Sequence, residues 1–485
     1  MATPEFNTST WPDDALVLTQ KGYRVLKSVL SKTQDDWIRR TLTVKPETPE
    51  KYDMGKDAFP VFYESKLYLY LPRDWALKLL GEPLADIRSD GIALREGLHF
   101  TGKLREEQMP IVNTFIASGA NGLLCVPCGY GKTFMAIWLA FKLKKRFLII
   151  VHKEFLMSQW KGELESLCPG IRIGIVQGKL CEIDSDKYDA ALVMIQTLCN
   201  RDYSGVTFKD FGFAVFDECH HLGAEHFSQS LLKIQCKHML GLSATPDRSD
   251  GLEKVFIWFL GPIAYQIKFR EADSSVRALI YRYETEDKSF KEPPVNKDGE
   301  VVRSRLVNQI AYFKPRTEYL CTHIAVFAKE GRRIIILSER KRHLQDFETE
   351  LKKLDVVDIG YYVGGMSQVD LDKSSCCAVI LGTFAMAAEA MNIPALNTIL
   401  LATPKSNVEQ SVGRILREKK EVRKFSPLIL DVLDHQHHGC IGQYRKRRDY
   451  YKACGYKVQM MEFGSVEIVD EIEQEETDAG ECLID

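Results

Sequence analysis

The chain has 485 residues, 45% of them hydrophobic, which as a prior is enough core material for about three domains. Its 65 Lys plus Arg against 67 Asp plus Glu leave a formal net charge of -2, so no global basic field draws in a polyanion, and any nucleic-acid partner has to be held by a local groove. No apolar run reaches the roughly 20 residues that span a bilayer, MATPEFNTSTWPDDALVLTQ lacks the flank of a signal peptide, and the 13 scattered cysteines read as reduced thiols inside a cell.

In chain order, FPVFYESKLYLYLPRDWALKLLGEP reads as strand, turn, strand and helix, so residues 1–101 are predicted to form a separate small α+β unit. Five continuous apolar runs follow: GLLCV, RFLIIV, AALVMI, FAVFDE and HMLGLSAT. They have the character of parallel strands buried on both faces, with helical stretches such as TFMAIWLAFKLKK between some of them. This predicts an α/β domain over 102–268. The charged stretch ETEDKSFKEPPVNKDGEVVRSR then marks 269–312 as a linker or small insertion. RRIIILS, DIGYYVG, CAVILGT, NTILLAT and PLILDVLD repeat the architecture over 313–455, and two similar lobes imply a cleft between them. Residues 456–485 end in EIVDEIEQEETDAGECLID and are predicted to be an acidic, disordered tail.

The strand GLLCV runs into PCGYGKT and then a helix, the context in which backbone N–H groups and a positive helix end face phosphates. Val126 stands where the full phosphate-loop pattern has glycine, yet the Gly129-x-Gly131-Lys132-Thr133 core is intact. Lys132 is suited to the β- and γ-phosphates and the Thr133 hydroxyl to Mg²⁺, with Pro127, Cys128 and Tyr130 completing the loop. Cys125 and Cys128 make a C-x-x-C spacing, but without a second pair packing is the better reading.

The strand FAVFDECHH ends in two acids, placed where an open α/β sheet binds its ligand. Asp217 is the candidate Mg²⁺ ligand and Glu218 the base that orients and deprotonates an attacking water. A zinc site at Cys219, His220 and His221 is the competing idea, but consecutive residues on an extended segment point to opposite sides and do not converge on one ion. HQHHGC, His435 to Cys440, reads as a polar surface loop.

These residues together resemble a superfamily 2 helicase from Leu104 to about Asp434. LREEQ resembles the Q motif, in which Gln108 would recognise adenine; PCGYGKT resembles motif I and VHKEFLMSQW motif Ia. MIQTL is similar to a nucleic-acid-contacting motif containing Thr197, DECHH to motif II, and the Ser243-Ala244-Thr245 of SATPDRSDG to motif III. LGTFAMAAEAMNIP resembles motif V and QSVGRILR motif VI. The Cys-His-His ending of motif II and the SATPxRxDG run are similar to the XPB-like branch, which includes phage UvsW and helicases of large DNA viruses. The chain departs from that pattern at Ala390 and Asn392 of motif V and at Arg248-Ser249-Asp250, the nearest match to the branch's RED triplet.

The resemblance implies two tandem RecA-like parallel-sheet domains and an ATP- and Mg²⁺-dependent enzyme that moves along DNA and unwinds or remodels it, 3′ to 5′. It implies that Gln410, Arg414 and Arg417 serve the nucleotide, Arg417 as arginine finger, and that His220, Ser243 and Thr245 couple nucleotide to strand. Lys153, Thr197 and Thr383 would contact nucleic acid. It further implies a monomer working with transcription or repair machinery, in the nucleus or, if viral, in host cytoplasm or virion, with a duplex- or damage-sensing N-terminal unit. An RNA helicase or ribonucleoprotein remodeller is the alternative on the same fold, and a nucleotide-gated clamp acting through protein partners is the alternative from another class. QYRKRRDYYKACGYK interleaves basic and aromatic residues, which suits phosphate pairing and base stacking or a solvated amphipathic helix.

Overall fold

The run FLIIV, buried at every position, becomes a central strand of an eight-stranded sheet in the first half of the chain. The strands lie in the order Leu180–Cys181, Ile173–Gln177, Ala190–Met194, Phe147–Val151, Phe213–Phe216, His238–Ser243, Asn121–Cys125 and Ile263–Gln266. All pair in parallel except the first, which folds back on its neighbour. Strands with no polar position to spare need cover on both faces, and Lys132–Leu143 and Glu154–Leu167 supply part of it through Met135, Leu139, Trp160 and Leu164. Register sets Phe216 beside Ile150, and Ser243 beside Cys125, so the residues that follow these strands emerge at one edge of the sheet. The computed structural model describes every residue except 1–2, 48–57, 205, 235, 249, 390, 392, 417, 419–422, 462–467 and 470–485.

The chain divides once, into Met1–Lys268 and Phe269–Asp485. The N-terminal segment has its own five-stranded sheet, ordered Tyr63–Glu64, Tyr68–Leu71, Gly22–Leu26, Leu16–Thr19 and Ala85–Asp86, and the helices Lys32–Thr41 and Arg73–Leu80. It does not stand apart from the first large sheet, because one hydrophobic cluster runs from Leu16, Tyr23 and Trp75 to Phe256 and Leu260. Arg73, 4% exposed, donates to Asn121 Oδ1 at 2.6 Å and to the Leu260 carbonyl at 3.0 Å, and Trp75 meets Trp258 edge-on with centroids 6.4 Å apart.

The second unit repeats the parallel sheet in the order Ile359–Tyr362, Val379–Thr383, Ile334–Ser338, Thr398–Leu401, Leu428–Asp434, Arg277–Tyr283, Lys457–Met461 and Ile468–Val469, only the last pair being antiparallel. Part of the expected linker 269–312 is therefore core. Arg277–Tyr283 pairs with two strands, burying Ala278 to Tyr281 and Tyr283, and helix Arg303–Tyr312 follows. Lys457–Met461, expected in the tail, is likewise a strand; residues 470–485 lie outside the described residues.

Candidate active site

The strand Asn121–Cys125 passes through Val126, whose N–H donates to the Ser243 carbonyl at 3.1 Å, into the loop Pro127-Cys128-Gly129-Tyr130-Gly131 and the helix that Lys132 and Thr133 open. Gly131 is required twice: its φ of 79° is left-handed, and a Cβ there would sit 2.5 Å from Gln108 Nε2. Gln108 is 2% exposed, donates to the Tyr130 carbonyl at 2.8 Å and accepts from the Arg105 N–H at 3.0 Å. Arg105 reaches the same Tyr130 carbonyl at 2.9 Å. One donor of the Gln108 amide thus holds the phosphate loop and one lone pair its own turn at Arg105, and its second donor and second lone pair are what a base would use. Lys132 Nζ donates to the Val126 carbonyl at 3.2 Å, which folds the side chain back over the loop.

Asp217 leaves the sheet one residue past Phe216, its N–H donating to the Ile150 carbonyl at 3.0 Å. Its Oδ1 accepts from the Glu218 N–H at 3.0 Å and its Oδ2 from the Trp160 indole N–H at 2.8 Å. Desolvation, and after it the Glu218 carboxylate, push the Asp217 carboxyl above the ordinary range, against the pull of Trp160 and Lys132. Glu218 holds a left-handed φ of 46° and is 8% exposed, a backbone strain of the kind that collects at working sites. Its Oε2 accepts no hydrogen bond among the described residues, although His220 Nδ1 lies 3.4 Å away. Two adjacent carboxylates out of bulk water, Glu218 with an unused oxygen and Asp217 within the field of Lys132, fit a divalent cation.

His220 Nδ1 is 3.1 Å from Ser243 Oγ, and that hydroxyl also accepts from the Thr245 N–H at 3.2 Å. The proposed coupling residues His220, Ser243 and Thr245 are therefore joined to one another and, through Glu218, to motif II. The His220 carbonyl accepts from Arg248, whose guanidinium is held by Asp250 at 2.6 and 2.8 Å; Ser249 lies outside the described residues. Lys153, half-buried, is the N-cap of Glu154–Leu167. Thr197 is 7% exposed and its hydroxyl accepts from the Gly178 N–H at 2.9 Å, so it braces a neighbouring loop rather than capping its own helix.

In the second unit, Thr383 ends the strand Val379–Thr383 and Gln410 lies half-buried in Glu409–Val412. Arg414, expected at the nucleotide phosphates, is 7% exposed and donates to the carbonyls of Ala387 at 2.7 Å and Met391 at 2.9 Å. A buried guanidinium must satisfy its donors locally, and here it ties motif VI to motif V. Arg417, Ala390 and Asn392 lie outside the described residues. The basic and aromatic run QYRKRRDYYKACGYK is largely the helix His438–Ala453, and it is not one solvated stripe. Arg447 and Tyr451 are buried, both bonded to Asp431, while Arg445 and Lys446 are exposed. Sequence reasoning gave no role to Arg105, His152 or Trp160: a basic residue beside the Q-motif glutamine was a usable sign, but no sequence signal told which side of its helix Trp160 would present to Asp217.

Residues 101–248 match the family described as type III restriction enzyme, res subunit. A putative ATP-dependent RNA helicase of Acanthamoeba polyphaga mimivirus is 33% identical over 453 residues, covering 91% of this chain and 86% of its own length. A putative ATP-dependent RNA helicase of African swine fever virus is 29% identical over 353 residues, 68% of each chain. Among solved structures, the ATP-dependent type ISP restriction-modification enzyme LlaBIII bound to DNA superimposes with a TM-score of 0.51 at 14% identity, over 76% of this chain and 32% of that one, a likeness of fold. The chain belongs to the superfamily 2 ATP-dependent helicases, together with those of large DNA viruses.

Proposed function

We propose that the chain is a translocase that couples ATP hydrolysis to 3′ to 5′ movement along DNA, remodelling or unwinding it. The observation that supports this reading is the meeting of three motifs in one unit: Lys132 of the phosphate loop beside Asp217, Glu218 against His220, and His220 bonded to Ser243. Thr133 and Asp217 would hold Mg²⁺, which when bound neutralises charge on the phosphates. Glu218, strained and with an oxygen unused, takes the proton of the attacking water. Lys132 holds the terminal phosphates, Gln108 the base, and Lys153, Thr197 and Thr383 the strand, with Gln410 and Arg417 in the nucleotide roles the family resemblance gives them and Arg414 tying motif VI to motif V behind them. DNA rests on the resemblance of the Cys-His-His ending of motif II and the SATPxRxDG run to the XPB-like branch.

Lys132→Ala and Glu218→Gln should each lower nucleic-acid-stimulated ATP hydrolysis by on the order of 10²-fold or more with unchanged circular dichroism, and normal turnover in either sinks the assignment. RNA is the second reading, favoured by the names of the mimivirus and African swine fever virus relatives. Stimulation of the ATPase by single-stranded RNA in excess of DNA of the same length and base composition would move the substrate to RNA.

A further inference from the structure

We propose that Trp160 and His221 are positioning residues that tie the strand-contacting start of the Glu154–Leu167 helix to the carboxylate of Asp217, so that seating a strand on Lys153 and orienting that carboxylate are one mechanical event. The inference rests on the function proposed above and names the parts that would link its two halves.

The first tie is the indole. Trp160 is 1% exposed within the core of the first large sheet, and its N–H, a donor with no alternative rotor, meets Asp217 Oδ2 at 2.8 Å. Asp217 Oδ1 is oriented from inside motif II by the Glu218 N–H, whereas Oδ2 is oriented by a different element. Lys153 caps the helix that carries Trp160 two turns further on, and a helix of 14 residues packed along one face moves as a rod. A displacement at its N-terminus therefore reaches the indole without a flexible joint in between.

The second tie is a stack of rings. His221 lies between His220, with centroids 4.3 Å apart, and His152, at 4.1 Å. His152 immediately precedes Lys153, and its carbonyl accepts from Gln196 Nε2 at 2.8 Å, next to Thr197. Both candidate strand contacts in this unit thus join at His152, and His152 leans on motif II. Orienting partners behind a metal-side ligand commonly change metal affinity or activity by about 10- to 100-fold when removed.

Trp160→Phe keeps the ring in the core and deletes the donor. Its first readout needs no turnover: the Mg²⁺ concentration that half-saturates binding of a fluorescent non-hydrolysable ATP analogue should rise about tenfold. Its second is the ratio of stimulated to basal ATPase at saturating Mg²⁺, which should fall several-fold. His221→Ala should lower the same ratio, and His221→Phe, which preserves the stack, should restore it. The double variant Lys153→Ala/Trp160→Phe should lose no more stimulation than Lys153→Ala alone. Unchanged Mg²⁺ dependence and an unchanged ratio in Trp160→Phe and His221→Ala, against a stimulated wild type, overturn the inference and leave the proposed function standing. A wild type that neither DNA nor RNA stimulates overturns both.

Discussion

Replacing Asp434 by Ala should unfold the second unit early and leave the first untouched. Arg316 and Asp434 are both 0% exposed, joined by two bonds of 2.6 and 3.0 Å, and the third guanidinium contact is the Ala402 carbonyl at 2.8 Å. Removing the carboxylate leaves a fully buried cation with one neutral partner. Breaking a buried pair from one side costs about 3–5 kcal/mol, and a Coulomb estimate at an effective dielectric near 20 gives about 4 kcal/mol at ~4 Å separation. At about 2–4 °C per kcal/mol for a unit of this size, the melting transition should drop by roughly 10 °C. All six tryptophans, Trp11, Trp37, Trp75, Trp138, Trp160 and Trp258, lie in the first unit, so fluorescence follows that unit while far-ultraviolet circular dichroism follows both. The dichroism transition should therefore move and the fluorescence transition should not. The double variant Arg316→Met/Asp434→Leu should recover most of the loss, because similar-sized apolar pairs replace buried ion pairs at little cost. A fluorescence midpoint that falls with the dichroism, or a dichroism curve that does not move, would refute the reasoning.

Burial, and after it Arg316, hold the His343 imidazole down to about 3, between Thr317 Oγ1 at 3.2 Å and Ser338 Oγ at 3.1 Å. The depressed native value means that its stabilisation is complete above about pH 6.5 and is lost as pH falls from there towards about 3, at about 1.4 kcal/mol per pH unit; His343→Gln should flatten that part of the acid-denaturation curve, and an unchanged slope would contradict it. A chain lacking residues 1–101 loses Arg73 and 15 of the 40 buried residues of a shared hydrophobic cluster, Trp75 among them, so it should aggregate rather than fold as an isolated pair of lobes. A soluble, monodisperse truncation with the parent's melting curve would show that the junction contributes nothing.

The phosphate loop and motif II were legible because their chemistry demands particular residue types at fixed spacing, and the central strands because FLIIV and AALVMI offer no polar face to solvent. What was not legible depended on distant partners. RDWALKLL reads as an ordinary amphipathic helix, and nothing in it says that Arg73 will lie against Asn121 and Leu260. RALIYRY looked like part of a linker because the charged stretch after it dominates the composition, yet its buried positions make it a central strand. Arg414 and Arg447 carried the signature of solvated charge and are both interior, since a sequence names a cation but not the carbonyl or carboxylate that will neutralise it.

Those interior arginines share a task. Asp431 and Asp434 sit on one strand, each 0% exposed; Asp431 takes Arg447 and Asp434 takes Arg316. Each arginine then extends a donor to the same loop, Arg316 to the Ala402 carbonyl and Arg447 to that of Lys405. Thr403 Oγ1 accepts from the Glu339 N–H at 3.0 Å, and Lys405 pairs with Glu339 at 3.2 Å, so the loop is braced from the strand Ile334–Ser338 as well. Beyond it come Gln410 and then Arg414, whose own donors hold the motif V carbonyls. An apolar core would stabilise the strand as well as two buried ion pairs do, but methyl groups cannot hold the carbonyls of an irregular loop. The Arg316→Met/Asp434→Leu chain should accordingly regain its melting temperature and still turn over ATP more slowly than the parent, because what the pair contributes there is the position of motif VI. Equal turnover in a fully restabilised chain would show that the loop finds its place without them.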